Sequence, residues 1–213
     1  MMQMPPQYFS ETGEDRYLRE MVFPDPTCKG VVVEIGGGDP VFFSMSRHWI
    51  LSGWRGVIIE PNPRLADLHR DIGNEVYQTA CSSEDRGDTG FTIVHSSGPA
   101  NELSFSALEV KDGAYIEGRN HEQTKITVQC SRLSTVLDQA GVTRVDILAV
   151  DTEGWELEVL QGLDREKHAP TIIVLENYGN QSEYPEYMKK SGYEMIQKLS
   201  HNEIYRVKEG GNG

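Results

Sequence analysis

Short uninterrupted apolar runs recur along the chain, each followed by a stretch whose apolar positions fall three and four apart. The runs at 31–35 (VVVEI), 56–60 (GVIIE), 145–150 (VDILAV) and 171–175 (TIIVL) are too short for helices and rich in β-branched residues, so they predict strands. Their lack of polar alternation predicts burial on both faces, as in a parallel sheet covered by helices. Helical spacing predicts helices over 11–21, 42–51 (closed by Gly53), 63–72 (with Pro63 in the favoured first turn), 133–140 (stopped by Gly141), 155–163 and 184–190. A third strand is expected over 76–80. From 82 to about 129 the pattern loosens, and strands at 91–94 and 125–128 flank a polar segment containing Gly and Ser. The runs 193–199 and 203–207, around Ser200-His201-Asn202, predict a terminal hairpin adding one antiparallel edge strand. Strand–helix alternation of this kind defines an α/β fold.

Bulk properties narrow the choice of partner. A chain of 213 residues suits one domain, expected over 1–208, with an insertion at about 82–129 and a disordered tail over 209–213 (EGGNG). The net charge of −13 repels phosphate backbones and anionic lipid, so neither nucleic acid nor membrane is an expected partner. Residues 1–6 lack a basic stretch followed by an apolar one. No apolar run approaches the roughly 20 residues that span a membrane. A cytoplasmic chain is expected. Its three cysteines (Cys28, Cys81 and Cys130) are scattered and predict reduced thiols.

Candidate chemistry collects where the strands end, since ligands of open α/β sheets bind at the carboxyl ends of the strands. The first strand runs through Glu34 into Gly36-Gly37-Gly38, glycines that let a backbone approach a ligand. The second ends in Glu60, placed to accept hydrogen bonds from the ribose of an adenosine. The six residues from Gly36 read GGGDPV, so Val41 stands where a dinucleotide fingerprint has its last glycine. Asp39 would repel a pyrophosphate, and Pro40 has no N–H to offer one. An acidic residue within the first strand suits a cation, and S-adenosylmethionine carries both a sulfonium and an ammonium. Gly36, Gly38, Glu34 and Glu60 are therefore expected to hold that donor. A nicotinamide-dependent reductase and a silent adenosine-binding module are the competing readings. Ser82, Ser83 and Asp85 either reach the adenine or form a turn, and Glu14 and Asp15 either fold over the donor or sit on a solvated helix face.

The stretch 145–163, VDILAVDTEGWELEVLQGL, resembles the signature of the FkbM-type methyltransferases, in which a strand runs into D-x-E-G-x-E-x-x-x-L-x-G. The likeness extends to Glu34-Ile35-Gly36, to 53–61 (GWRGVIIEP), to Gly13-Glu14-Asp15 and to 170–176. One departure is Gly38-Asp39-Pro40, where an Asp-Gly turn is commoner, so the next helix start is expected to be displaced. The resemblance implies a Rossmann-like class I methyltransferase fold with a mostly parallel seven-stranded sheet. It also implies S-adenosylmethionine as donor and O-methylation of a small natural product or sugar. A small-molecule acceptor is the expected partner, and a homodimer stays open.

Methyl transfer to a hydroxyl needs the proton removed, by a base or by a metal that acidifies it. Asp151, which ends the strand expected beside the first, should face both donor and reacting centre. With the neighbouring Glu176-Asn177 it offers three oxygen ligands suited to Mg²⁺. Glu153 is a further candidate. Glu156 and Glu158 read as surface charges, and Trp155 as a core or pocket wall. Among the histidines His201, at the hairpin tip, is the best base, followed by His95 and His121. His48, His69 and His168 read as surface or packing residues. Tyr178 could orient an acceptor, and the 97–123 segment reads as a lid over it.

Overall fold

The computed structural model describes residues 7–95, 105–108 and 122–208. The tail over 209–213, His121 and most of the expected lid fall outside these residues.

The four apolar runs pair as parallel strands. β1 (Val31–Ile35) lies between β2 (Arg55–Ile59) and β8 (Ile147–Val150), with β3 (Glu75–Tyr77) beyond β2 and β9 (Ile172–Glu176) beyond β8. The hairpin strands β10 (Tyr193–Leu199) and β11 (Asn202–Val207) complete a seven-stranded sheet in the order β10-β11-β9-β8-β1-β2-β3. The antiparallel strand is not at the edge as expected. β11 pairs with β9, and β10 takes the edge.

Alternate residues of each strand feed opposite cores, which is why the runs are continuously apolar. Val33, Ile35, Leu148, Val150, Ile173 and Leu175 face a cluster closed by α4 (Leu133–Gln139), α5 (Glu156–Gln161) and α7 (Glu183–Lys190). Val32, Ile147, Ala149, Ile172 and Val174 face Leu18, Trp49 and Trp54, contributed by the N-terminal helices and by α2 (Arg47–Leu51) with the turn after it. Two further helices, α3 (Pro63–Asp71) and α6 (Arg165–His168), flank the sheet. No helix among the described residues is long and apolar enough to cross a membrane.

Three local expectations fail for identifiable reasons. The helix expected over 42–51 begins only at Arg47, as α2 (Arg47–Leu51). Asp39 Oδ1 accepts the N–H groups of Val41 and Phe42, and Glu34 accepts those of Met45 and Ser46, which holds 39–46 out of helical geometry. The N-terminal helix is likewise short. α1 (Glu14–Tyr17) starts after Gly13, at φ 91°, and continues as a wide π turn over Leu18–Val22. The expected third strand divides into β3 and β4 (Ala80–Ser82), which belong to different sheets.

That second sheet gives the loosely patterned region its structure. β5 (Gly87–His95) and β7 (Glu122–Arg132) form a long antiparallel pair, with β6 (Phe105–Ala107) beside β5 and β4 beside β7. Ile126, Val128 and Cys130 alternate inward onto Ala80, Phe91 and Ile93. Thr79 marks the crossing between sheets, its hydroxyl donating to Gln129 O at 3.0 Å.

Candidate active site

The order of the main sheet reverses between β1 and β8, and the cleft opens there, at the carboxyl ends of the strands. Its first half surrounds the glycine turn. Glu60 Oε2 accepts Gly38 N at 2.9 Å, and Oε1 accepts Asn62 N at 2.7 Å. Glu34 is held by Met45 N at 2.6 Å, by Ser46 N at 3.2 Å and by the Ser44 and Ser46 hydroxyls. Burial pushes both carboxyls up to about 7 against these hydrogen bonds. His69 belongs to this half, although its place on a predicted helix reads as packing. It is fully buried, its Nε2 lies 3.2 Å from both Gly37 O and Gly38 O, and Asn74 Nδ2 sits 2.9 Å from Nδ1. The carbonyls of the turn are thus fixed from α3.

Ser82 is not brought to the cleft. Its buried hydroxyl donates to Glu84 O at 2.8 Å and makes a turn, while Thr79, Ala80 and Cys81 line the wall in its place. Asp85 accepts from Arg132 N at the end of β7 and from the Thr135 hydroxyl on α4.

The second half is built by the D-x-E-G-x-E stretch. Glu153 and Gly154 both take positive φ, 56° and 94°, a turn that glycine permits and that strains the glutamate. Glu156, far from being a surface charge, is completely buried. One carboxylate oxygen accepts Thr152 N and Gly154 N, each at 2.9 Å, and the other accepts the Tyr184 hydroxyl at 2.7 Å. This pins the turn that sends Glu153 into the cleft. The available signal was its place at the first position of a helix, where unpaired N–H groups gather.

Asp151, Glu156 and Glu176 place carboxylate oxygens within 4.8 Å of one another. Asn177 does not join them. Its Oδ1 accepts Gln181 N at 2.8 Å, and its Nδ2 donates to Gln181 O and Glu203 Oε1. Consecutive strand residues point to opposite faces, so Glu176 and Asn177 cannot both look into one cleft. Solvent reaches Asp151 through the cleft mouth, but protein atoms and the Glu156 charge crowd its carboxyl and raise it to about 7. Burial and then Asp151 raise Glu153 to about 8. Glu176 is pushed higher still, by burial first and then by Asp151.

His201 Nε2 stands 3.3 Å from Glu11 Oε2 and 3.9 Å from Glu176 Oε1, and its ring lies 5.7 Å from that of Tyr178. The N-terminal residue that reaches the cleft is Glu11, rather than Glu14 or Asp15. Those two are fully buried and structural. Asp15 ties Phe9 N and Ser10, and Glu14 accepts Thr12 N and Asn202 Nδ2. His48 and His168 are packing residues, and His95 pairs with Thr124 on the second sheet. Trp155 is a wall of the cleft.

A seven-stranded sheet in this order, with its acidic cleft at the reversal, is a Rossmann-like class I methyltransferase fold. Residues 31–206 match the family model described as Methyltransferase FkbM domain, and the chain belongs to that family of methyltransferases. A curated relative, "Methyltransferase sdnD" of Sordaria araneosa, is 36% identical over 74 residues, 31% of this chain and 29% of that protein. A crystal structure of methyltransferase FkbM from Methylobacillus flagellatus KT aligns with 91% of this chain and 50% of its own, at a TM-score of 0.49 and 14% identity. The chain therefore spans about half the length of that protein.

Proposed function

We propose that this methyltransferase takes its methyl group from S-adenosylmethionine and places it on a hydroxyl of a small molecule. The observation that carries the reading is the convergence of Glu34, Glu60 and Asp151 around the Gly36–Gly38 turn, in a cleft that no described Lys or Arg lines. A sulfonium and an ammonium suit such a cleft, and a pyrophosphate does not. Each Glu60 oxygen has a lone pair beyond the one used on Gly38 or Asn62, available to ribose hydroxyls. Bound there, the donor supplies an electrophilic methyl carbon.

The chain's own groups handle the proton. Asp151 is raised to about 7, the range in which a carboxylate serves as a general base, while burial and Asp151 push its neighbour Glu176 higher. His201 stands next in line beyond Glu176, and Glu153 is a third carboxylate in reach of the same space. Phe91 and Leu108, on or beside strands of the second sheet, line the cleft, so we read 82–129 as the acceptor wall of a single domain over 1–208.

Methyl-labelled donor offered with a panel of hydroxylated small molecules tests this reading, together with calorimetric titration of S-adenosylhomocysteine. Absence of homocysteine-product binding overturns the donor, and label confined to nitrogen overturns the hydroxyl.

The clustering of Asp151, Glu156 and Glu176 supports a second reading, that Mg²⁺ acidifies the acceptor. Asp151 and Glu176 would hold it, since the oxygens of Glu156 are committed to the turn and to Tyr184. Turnover should then disappear in EDTA and return with Mg²⁺, whereas full turnover in chelator discards the metal.

A further inference from the structure

The cleft does not end at the reaction centre. Glu153, Glu176 and Tyr178 line both it and a second groove, which runs on between α5 and α7 past Glu183 and Glu186. The chain has 20 Lys and Arg, yet among the described residues none lines the cleft and only Lys190 lines the groove. The groups that bear on Asp151, Glu153 and Glu176 are one another, Glu156 and Glu11, with the imidazole of His201 as the basic group beside them among the described residues. The protein therefore leaves these carboxylates short of positive charge. One bound S-adenosylmethionine brings a single net positive charge, with Glu34 and Glu60 already at its end of the cleft.

Three aromatic rings stand out into solvent at the same mouth. Phe42 is 63% exposed, Phe43 50% and Tyr178 48%. Phe43 also sits at φ 64°, a left-handed conformation that is unfavourable for a phenylalanine. Aromatic faces beside carboxyl groups that no fixed cation neutralises are the pairing that recognises an organic cation: the rings cover its apolar body, and its charge draws the raised carboxyls back to their ionised form. An anion in this place would find no described Lys or Arg to pair with and would add to the crowding of acidic groups.

We infer that the methyl acceptor is an organic cation, a hydroxyl-bearing molecule with an apolar face and an ammonium group, seated between the Phe42, Phe43 and Tyr178 rings and the Glu153 and Glu176 carboxylates. Anionic hydroxyl compounds such as phosphorylated sugars and hydroxy acids are refused. This rests on the reading of the cleft as the acceptor site, and it narrows that reading to one substrate class.

The test compares tyramine with its carboxylate counterpart, 4-hydroxyphenylpropionate, by calorimetry on protein loaded with S-adenosylhomocysteine at low ionic strength. Tyramine should bind at least about tenfold more tightly, and added salt should shrink the difference. Glu153→Gln should remove most of the preference, and Phe42→Ala should weaken tyramine, while both variants keep wild-type affinity for S-adenosylhomocysteine. Equal affinities, a preference for the carboxylate, or no tyramine binding would each overturn the inference. Displacement of tyramine by millimolar Mg²⁺, with no effect of Glu153→Gln, would also overturn it and assign the carboxylates to a metal. If S-adenosylhomocysteine itself fails to bind, the donor reading fails, and the same comparison on the free protein still decides this one.

Discussion

Gly36 and Asp151 approach so closely that a Cβ built on the glycine would lie 1.7 Å from the Asp151 carbonyl oxygen. The contact joins the ends of β1 and β8 at the reversal of strand order, and Asp151 N donates to Ile35 O at 3.0 Å beside it. The glycine thus sets the distance between the two halves of the cleft. A larger residue would push the glycine turn away from Asp151.

Gly36→Ala should therefore be severe, since it combines φ 78° with a clash against backbone that cannot swing away. A loss above ~3 kcal/mol is expected. Gly38→Ala meets nothing within 4 Å and carries only the strain of φ 54°, so its loss should be about 1 kcal/mol. Urea unfolding of the two variants measures the difference. Equal losses would show that the strand ends relax freely.

Glu60→Gln should weaken S-adenosylhomocysteine binding about tenfold or more while leaving the fold intact. Its amide can accept from only one of Gly38 N and Asn62 N, so the other meets a like donor, and one acceptor for the ribose is lost. Calorimetry checks it, and unchanged affinity would remove Glu60 from the donor site.

Glu156→Ala should cost ~2–4 kcal/mol, because it leaves Thr152 N, Gly154 N and the Tyr184 hydroxyl without their acceptor. Glu156→Gln keeps the acceptor oxygen and the volume, so it should cost less. Both should lower turnover by loosening Glu153, with a smaller effect on donor affinity. Denaturant unfolding and kinetics together test the claim. Full activity in the alanine variant would mean that Glu153 takes its position without help.

Stability should rise as pH falls from 8 to about 6.5. Glu34 and Glu60 ionise at about 7 in the fold against an ordinary value of 4.5, Glu153 at about 8, and Asp151 at about 7 against 3.8. Below those folded values and above the ordinary ones the folded state binds more protons than the unfolded, so lowering pH favours folding. Buried His48 and His69 act the other way. Their folded values lie below 6.5, so as pH falls through 6.5 the unfolded chain takes protons that the fold refuses, and stability is lost. An optimum on the acid side of neutrality follows. Unfolding midpoints measured across the range check it, and a midpoint that climbs steadily toward pH 8 would contradict the buried, proton-holding carboxylates.

The sequence alone determined the strands of the main sheet, the order of its elements, the glycine turn and the family. Each rests on a local pattern: an unbroken apolar run, a residue free to take positive φ, a motif of fixed spacing. It also marked Glu60, Asp151 and Glu176 as strand-end acids, because a strand's end is visible where its apolar run stops. Asn177, expected to join Glu176 as a ligand, turns away for an equally local reason, since neighbours along a strand face opposite ways. Only the tertiary structure decided which partner each strand takes, and so it split 75–82 between two sheets and set β11 inside β10. It alone showed Glu34 and Asp39 capturing the N–H groups that would have begun a helix at 42, Glu156 turned inward beneath its own loop, and Glu11, rather than Glu14 or Asp15, reaching the cleft beside His201. These outcomes depend on hydrogen bonds and charges between groups far apart along the chain or around a tight turn. The spacing of apolar residues carries no information about where such partners come to rest.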